Sequence, residues 1–522
     1  MSAANIPQGA PLAAVPGSDG GGSGRKQWLI LGVIALAQLM VVLDATIVNI
    51  ALPSAQQDLH FSTVDRQWVV TAYALAFGSL LLLGGKLVDL LGRKVIFVGG
   101  LIGFAAASAV GGAATSFGML VAARACQGMF GAFLAPSALS LLTTTFSDPK
   151  DRGKAFGVFG AVAGAGGAVG LLLGGVLTEY LSWRWCLYVN LFFAAIAVIG
   201  ALLLLTRQPS PARPRLDLFG VLTVSSGMFC IVYGFANAAT HSWHTPSTWG
   251  FLAAGALLLL VFCWWETRVR QPLLPLRVVL DRNRGAAYLS ILLAGSGMFG
   301  IFLFLIYYMQ QTLGYTPVVT GLAFLPMVAG IMASANVSTV VLMPRVGPRP
   351  LVPFGFLIAA AAMVWLTRIG VDSSYASAIL PSLLVVGVGL GMVIAPSINT
   401  GTFGVARSDA GVASATVNTG QQLGGSLGTA LLNTMAASAT AAYLTSHASA
   451  ATTVRGQPSP ELLGLALVHG YTTAFWWTAG IFAAGAVVAA VLFRWGPLAK
   501  QDAAAVVAVP PEPVTSGSPA PE

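Results

Sequence analysis

Residues 28–50 read WLILGVIALAQLMVVLDATIVNI, an apolar run that contains a single carboxylate, Asp44. A helix of this length measures about 35 Å, enough to cross the hydrocarbon core of a bilayer, which is roughly 30 Å thick. The run follows Arg25 and Lys26 and is longer than the apolar core of a signal peptide. We therefore interpret it as a retained transmembrane helix.

Thirteen similar runs follow, so fourteen segments of the chain are long and apolar enough to cross a bilayer. They occupy approximately residues 28–50, 67–87, 95–115, 119–146, 155–180, 185–205, 218–239, 249–266, 285–313, 321–341, 351–367, 377–403, 411–442 and 470–495. Of the 522 residues, 56% are hydrophobic and 8% are charged, whereas soluble domains are about 25% charged. The sequence lacks the segments of about ten residues with alternating polarity that would indicate a membrane β-barrel. We predict an all-α membrane protein with 14 transmembrane helices.

The positions of the basic residues predict the orientation of the chain. If the N-terminus is cytoplasmic, 21 Lys and Arg residues lie in cytoplasmic segments and Arg124 lies inside a run. Four lie in external segments, namely Arg66, Arg184, Arg368 and Arg455. Because cytoplasmic loops are enriched in Lys and Arg, we expect a multi-pass protein of the cell membrane with both termini in the cytoplasm. The net charge of +9 is confined almost entirely to the gaps between runs, so we expect no nucleic-acid partner.

The first and second parts of the chain share short motifs at a nearly constant offset. GAFLAPS at residues 131–137 recurs as GMVIAPS at residues 391–397, an offset of 260 residues. The spacing Gly166-xxx-Gly170 recurs at Gly424 and Gly428, an offset of 258 residues. These matches predict two six-helix repeats with an inserted helix pair between them. Repeated halves are typical of transporters, whose substrate site lies at the interface between the halves.

This organisation divides the chain into five predicted segments. They are a disordered N-terminal tail (1–24), an N-terminal six-helix half (25–210), an inserted helix pair with a cytoplasmic linker (211–284), a C-terminal six-helix half (285–499) and a disordered C-terminal tail (500–522). No nucleotide-binding signature accompanies the glycines, so we do not expect transport driven directly by ATP. We expect a transporter, not an enzyme.

GKLVDLLGRK at residues 85–94 lies in the short gap after the second run and resembles the loop signature of the major facilitator superfamily. The resemblance implies a cytoplasmic gate formed by Gly85, Asp89, Gly92 and Arg93. In that family the acidic residue faces helix ends of the opposite half, where an anion is favoured at a helix N-terminus. The second-half counterpart, PRVGPR at residues 344–349, keeps the Gly and Arg but lacks the Asp.

Three further motifs are similar to those of the fourteen-helix drug:proton antiporters within this superfamily. They are LDATIVNIALP at residues 43–53, RACQG at residues 124–128 and the glycine-rich segment 166–175. The last resembles the antiporter motif through Gly166, Gly170, Gly174 and Gly175, with Leu171 where the family usually has Pro. Glycines at this spacing are also typical of close helix packing, so a packing role and a gating role both stay open.

Asp44 and Arg124 are the charged side chains that lie well inside the first-half runs. A lone charge at bilayer depth costs about 2.5–3.5 kcal/mol, so each needs a partner or water. Counted from the ends of their runs, both lie at a similar depth, which predicts that they pair. A static ion pair that fixes two helices is one interpretation. The other is that Asp44 exchanges a proton and Arg124 responds, so that the pair couples transport to protons.

Polar side chains within the runs are candidates for a substrate cavity. They are Gln38, Asn49, Tyr73, Gln127, Tyr307, Gln311, Asn336, Asn418, Gln421 and Gln422. The last three lie on one face of a helix, and amides are not expected to face lipid. They either bond to neighbouring helices or line the cavity, and the sequence does not distinguish these roles.

The resemblance implies a secondary exporter of small amphipathic drugs or antibiotics, driven by proton antiport with alternating access. The alternative is a dedicated exporter of one endogenous metabolite or self-made antibiotic. The expected partners are the substrate, protons and the lipid bilayer, and we expect a monomer without cofactor or bound metal.

Overall fold

The computed structural model describes residues 20–62, 65–146, 148–206, 217–241, 245–269, 272–274, 276–405, 410–447, 453–454 and 457–497. Its α-helices are α1 (Gly20–Leu59), α2 (Gln67–Leu91), α3 (Arg93–Gly112), α4 (Phe117–Thr145), α5 (Pro149–Tyr180), α6 (Trp185–Leu204), α7 (Leu218–His241), α8 (Pro246–Glu266), α9 (Leu276–Val279), α10 (Arg282–Tyr307), α11 (Pro317–Asn336), α12 (Met343–Val346), α13 (Pro348–Leu366), α14 (Leu380–Thr402), α15 (Ala410–His447) and α16 (Pro460–Leu492). Three π-helical segments, Tyr308–Thr312, Val337–Leu342 and Tyr375–Ile379, adjoin α10, α11 and α14.

The predicted all-α fold class is confirmed, and each of the fourteen apolar runs falls on a long helix. Eleven helical stretches in the described part of the chain are long and apolar enough to cross a membrane, and Gln67–Leu81 and Ala165–Tyr180 are shorter apolar stretches. The described residues also contain one antiparallel pair of two-residue strands, β1 (Thr453–Val454) and β2 (Gln457–Pro458).

The helix ends differ from the predicted ends at α1. This helix begins at Gly20, inside the predicted tail 1–24, and continues through Pro53 to Leu59, whereas the apolar run ends at Ile50. Residues 1–19 and the whole predicted tail 500–522 lie outside the described residues.

Helices α1–α6 and α10–α16 form two groups whose long helices pack in corresponding pairs. In the first group α1 packs against α5 and α6, α3 against α4 and α6, and α2 against α4. In the second group α10 packs against α15 and α16, α13 against α14 and α16, and α11 against α14. Contacts of α5 with α11 and of α2 with α15 join the groups.

Helices α7 and α8 pack against each other at the edge of this bundle, and α7 also contacts α2 and α15. The Ser225 hydroxyl of α7 donates a hydrogen bond to the Ser79 carbonyl oxygen of α2 at 2.6 Å. The Trp265 indole of α8 donates to the Asp217 carboxylate that precedes α7, at 2.9 Å. Helices α7 and α8 therefore lie beside the two groups, which remain in contact with each other.

Two glycine turns occupy corresponding places in the groups. Gly92, between α2 and α3, has φ 90°, and Gly347, between α12 and α13, has φ 76°. Both amides donate to the carbonyl oxygen four residues earlier, Val88 and Met343. Residues with a Cβ atom rarely adopt such angles, so glycine is required for the short reversal at each place.

Candidate functional site

Asp44 of α1 and Arg124 of α4 form a buried ion pair, with 2.6 Å between Asp44 Oδ2 and Arg124 Nη1. Asp44 has no exposed surface and Arg124 is 2% exposed. The beginning of α4 is fixed by Ser116, whose hydroxyl accepts a hydrogen bond from the Met119 amide, as N-cap serines commonly do. The predicted pairing is therefore present in the structure.

Amide side chains from two helices complete the hydrogen bonding of the Asp44 carboxylate. Gln127 Nε2 and Asn190 Nδ2 donate to Asp44 Oδ1 at 3.0 and 2.7 Å. Gln127 Oε1 accepts from Arg124 Nη1 at 2.9 Å, and Gln127 Nε2 also donates to Ser108 Oγ at 2.7 Å. The carboxylate therefore receives hydrogen bonds from α4 and α6, which is how a buried charge is tolerated.

The Arg124 side chain is held on two further sides by α2. Its Nε donates to the Val69 carbonyl oxygen at 3.1 Å. Its guanidinium carbon lies 4.4 Å from the centre of the Tyr73 ring, a cation–π distance. Arg124 thus links the ion pair to α2, and its orientation depends on groups other than Asp44.

A small cavity adjoins this network between the two helix groups. Its polar and aromatic lining consists of Asn49, Tyr73, Arg124, Phe299 and Gln422, and the remaining lining residues are apolar. Arg124 is the charged residue that the network and the cavity share. A change in the ion pair therefore alters the charge at the cavity wall.

The other cavity candidates do not converge on this place. Gln127 belongs to the ion-pair network and Tyr307 lies at a buried interface described below. Gln311 and Asn336 are exposed, and the Asn336 side chain donates to the Met332 carbonyl oxygen. Three more candidates, Gln38, Asn418 and Gln421, are half-buried, and Asn418 donates to the Ser414 carbonyl oxygen.

The predicted gate segment contacts its own helix group. Arg93 Nε donates to Ser140 Oγ of α4 at 2.7 Å, and Lys94 Nζ donates to the carbonyl oxygens of Leu202 and Leu205 at the end of α6. A cation is favoured at this end of a helix. Gly85 and Asp89 lie in the last two turns of α2, and the Asp89 side chain is outside the described residues.

The antiporter-motif glycines lie where α5 approaches two other helices. A Cβ atom at Gly166, Gly170 or Gly174 would meet α1 at Val42, Thr46 or Ile47. A Cβ atom at Gly175 would lie 2.7 Å from the Pro317 carbonyl oxygen and 2.8 Å from the Val318 Cα atom of α11. Gly175 therefore permits close contact between the two helix groups.

We call the end of the bundle at which α1 ends and α2 begins the α1–α2 end. Four of the hydrogen bonds that join the helix groups in the described part of the chain lie at this end. They run from Tyr307 to Gln56, from Gln310 to the Ile50 carbonyl oxygen, from the Val318 amide to Glu179 and from Asn433 to Gln67. The α1–α2 end is therefore closed.

Sequence reasoning missed several residues that shape the ion-pair network and the α1–α2 end. Ser108 and Asn190 lie in apolar runs and belong to none of the motifs quoted above. Arg66 was counted in an external gap, yet it is 2% exposed and its guanidinium carbon lies 3.5 Å from the centre of the Tyr307 ring. The nearby Trp68 was the one available signal that Arg66 is buried.

Known proteins match the chain over most of its length. A sequence profile described as Major Facilitator Superfamily matches residues 34–429. The puromycin resistance protein of Streptomyces alboniger is 49% identical over 486 residues, 92% of this chain and 94% of that protein. The cephamycin export protein of Amycolatopsis lactamdurans is 40% identical over 423 residues, 79% of this chain and 86% of that protein. The tetracenomycin C resistance and export protein of Streptomyces glaucescens is 36% identical over 420 residues, 79% of this chain and 76% of that protein.

Solved structures resemble the fold at low sequence identity. A bacterial homologue of the human lysosomal transporter Spinster superposes with a TM-score of 0.62 at 15% identity, covering 90% of this chain and 98% of that chain. A likeness at this identity concerns the fold alone.

The buried ion pair predicts a strong energetic coupling. Asp44→Ala and Arg124→Ala should each destabilise the protein by about 3–5 kcal/mol, because each leaves one buried charge without its partner. The double variant should be more stable than the sum of the two losses predicts. Unfolding of the four proteins in detergent measures the coupling, with Asp58→Ala as a control because the Asp58–Arg184 pair is partly exposed. Additive losses would contradict the coupling.

Because Gly175 allows close contact between α5 and α11, we predict that a larger side chain at residue 175 weakens the closure of the α1–α2 end. Gly175→Ala should increase the accessibility of a cysteine placed at the buried Gln67 by roughly tenfold, because overpacking of this kind costs about 1–3 kcal/mol. The measurement is the maleimide labelling rate in a background without the native cysteines. Gly167→Ala is the control, since a Cβ atom there meets nothing within 4 Å. Equal rates in both variants would show that Gly175 does not hold this end closed.

Proposed function

The chain belongs to the Major Facilitator Superfamily, and we propose that it is a secondary exporter of small amphipathic drugs or antibiotics, driven by proton antiport with alternating access. The relatives named for resistance to, or export of, puromycin, cephamycin and tetracenomycin C support this substrate class. The observation that carries the coupling mechanism is the buried Asp44–Arg124 pair, one member of which lines a cavity between the helix groups.

The proposed topology has fourteen transmembrane helices in two repeated halves, 25–210 and 285–499, with the inserted pair in 211–284. The corresponding helix pairs and the glycine turns at Gly92 and Gly347 support the repeat. The distribution of Lys and Arg supports cytoplasmic termini in the cell membrane. In this orientation the α1–α2 end faces outside, so this conformation is closed to the exterior. We propose that the protein acts as a monomer.

In the proposed coupling step, a proton from outside binds the Asp44 carboxylate. Protonation removes the negative charge that holds Arg124, so the ion pair weakens while Val69 and Tyr73 still hold the guanidinium beside the cavity. The cavity wall then carries an unbalanced positive charge, which changes the affinity for substrate. Release of the proton to the cytoplasm restores the pair. Protons and substrate therefore alternate in stabilising the two facings of the cavity.

A second candidate function is dedicated export of one endogenous metabolite or self-made antibiotic. Several relatives are each named for a single antibiotic, which favours a narrow substrate range. Transport of a panel of structurally unrelated amphipathic compounds distinguishes the two functions. Export of several members supports a multidrug exporter, and export of one member supports a dedicated exporter.

Asp44→Asn should abolish proton-driven export, because an amide has almost the shape of the carboxylate but does not exchange a proton at physiological pH. Substrate binding to the purified variant should persist, since Asp44 is not among the cavity-lining residues. The measurement is substrate movement in proteoliposomes with an imposed pH gradient, and Asp58→Asn is the control. Full export by Asp44→Asn that still depends on the pH gradient would falsify the coupling role and leave a static ion pair.

Asp89→Asn should reduce the transport rate while membrane insertion stays normal, because Asp89 lies at the end of α2 next to the Gly92 turn. An anion there is expected to stabilise the closed cytoplasmic side through a helix N-terminus. Initial export rates at matched expression give the comparison. Asp151→Asn is the control at the same side, where Asp151 and Lys154 form a largely exposed ion pair. Unchanged rates in Asp89→Asn would remove it from the gate.

A further inference from the structure

Arg66 is a buried cation at the α1–α2 end with unused hydrogen-bond donors. The residue is 2% exposed, and its Nε and Nη1 atoms have no hydrogen-bond partner. Among the described residues no carboxylate forms an ion pair with it, and the carboxylates of Asp65 and Glu179 accept hydrogen bonds from Ser62 and from the Val318 amide. This differs from Arg124, whose guanidinium meets a carboxylate, an amide and a carbonyl oxygen.

The Tyr307 ring contact leaves the Nε and Nη1 donors of Arg66 without a well-aligned hydrogen bond. The Tyr307 ring stacks on the guanidinium, with 3.5 Å between the guanidinium carbon and the ring centre. Stacking uses the face of the guanidinium, whereas the N–H bonds point outward in its plane. The ring therefore shields the cation from lipid and water without satisfying its hydrogen bonds.

Further unpaired polar atoms surround Arg66. The Gln67 Nε2 donor is buried without a partner, while Gln67 Oε1 accepts from Asn433 at 3.3 Å. The Tyr471 hydroxyl of α16 is also buried, and it lies beside the Arg66 guanidinium without forming a well-aligned hydrogen bond to it. Gln67 and Arg66 belong to the first helix group, whereas Tyr307 and Tyr471 belong to the second. The cluster thus has an excess of donors and lies across the interface that must open for release.

We propose that Arg66, Gln67 and Tyr471 form an exit-side subsite for the carboxylate of an exported aromatic acid. This inference rests on the proposed export function and specifies a substrate class for it. Guanidinium groups bind carboxylates through paired N–H bonds, and a carboxylate supplies the acceptors that this cluster lacks. Tyr307, Tyr308 and Tyr471 supply aromatic surface beside the charge. When the α1–α2 end opens, the donors become accessible from the central cavity and from outside.

The test compares 2-naphthoate with the uncharged 2-naphthamide, using equilibrium dialysis of the purified full-length protein. The wild type should bind the carboxylate at least about tenfold more tightly than the amide, which is typical of a charge-assisted pair. Arg66→Gln should reduce that preference to about twofold or less, mainly by weakening the binding of the carboxylate. Arg66→Lys should keep part of the preference, because it retains the charge without the planar fork.

Arg368→Gln is the matched control, since it removes the same charge from an exposed position. It should keep the full preference for the carboxylate. Two results would overturn the subsite: a wild type without carboxylate preference, or an Arg66→Gln protein that loses affinity for both ligands equally. If Arg66→Gln does not fold, the wild-type and Arg66→Lys preferences decide. Because the assay uses neither a pH gradient nor transport, its failure is distinct from failure of the export function.

Discussion

A charge inside an apolar bundle has to be compensated locally, and this constraint organises the first helix group around Asp44. The carboxylate meets Arg124 and Gln127 of α4 and Asn190 of α6, and Gln127 also reaches Ser108 of α3. Arg124 in turn bonds to α2. Five helices are therefore positioned by one network of strong hydrogen bonds. An apolar contact of equal area tolerates sliding, but charge-assisted bonds lose most of their strength when displaced by an ångström.

Much of this architecture was predictable because the bilayer restricts the chain so strongly. Long apolar runs have few alternatives to helices, since backbone polar groups have no partner in lipid. The rarity of charge within the runs also predicted the Asp44–Arg124 contact. The depth of Asp44 was counted from the end of its apolar run at Ile50, whereas α1 continues to Leu59. The predicted contact is present although this helix end differs from the one used in the count. The role of the pair in proton coupling remains a prediction.

The polar residues without charge were harder to predict from sequence. Asn49 and Gln422 line the cavity, whereas Asn336 and Gln311 are exposed, although all four occur in similar apolar runs. Their difference arises from helix rotation and from the contacts between the two groups, neither of which local patterning specifies. The predicted exposure of Arg66 was wrong for another reason. Counting loop charges assumes that a basic residue between runs is solvated, whereas Arg66 is buried beneath the Tyr307 ring.

The four hydrogen bonds described at the α1–α2 end have a consequence for the equilibrium between its closed and open states. They join tyrosine, amide and backbone groups, with Glu179 as the single charged partner. At about 1 kcal/mol net each, they hold the end with about 4 kcal/mol, close to the roughly 5.5 kcal/mol that inverts a two-state population from 1:99 to 99:1. A latch of this strength stays shut at rest and yields to the binding of one ligand. Because only one of these bonds has a charged partner, their combined strength depends little on ionic strength.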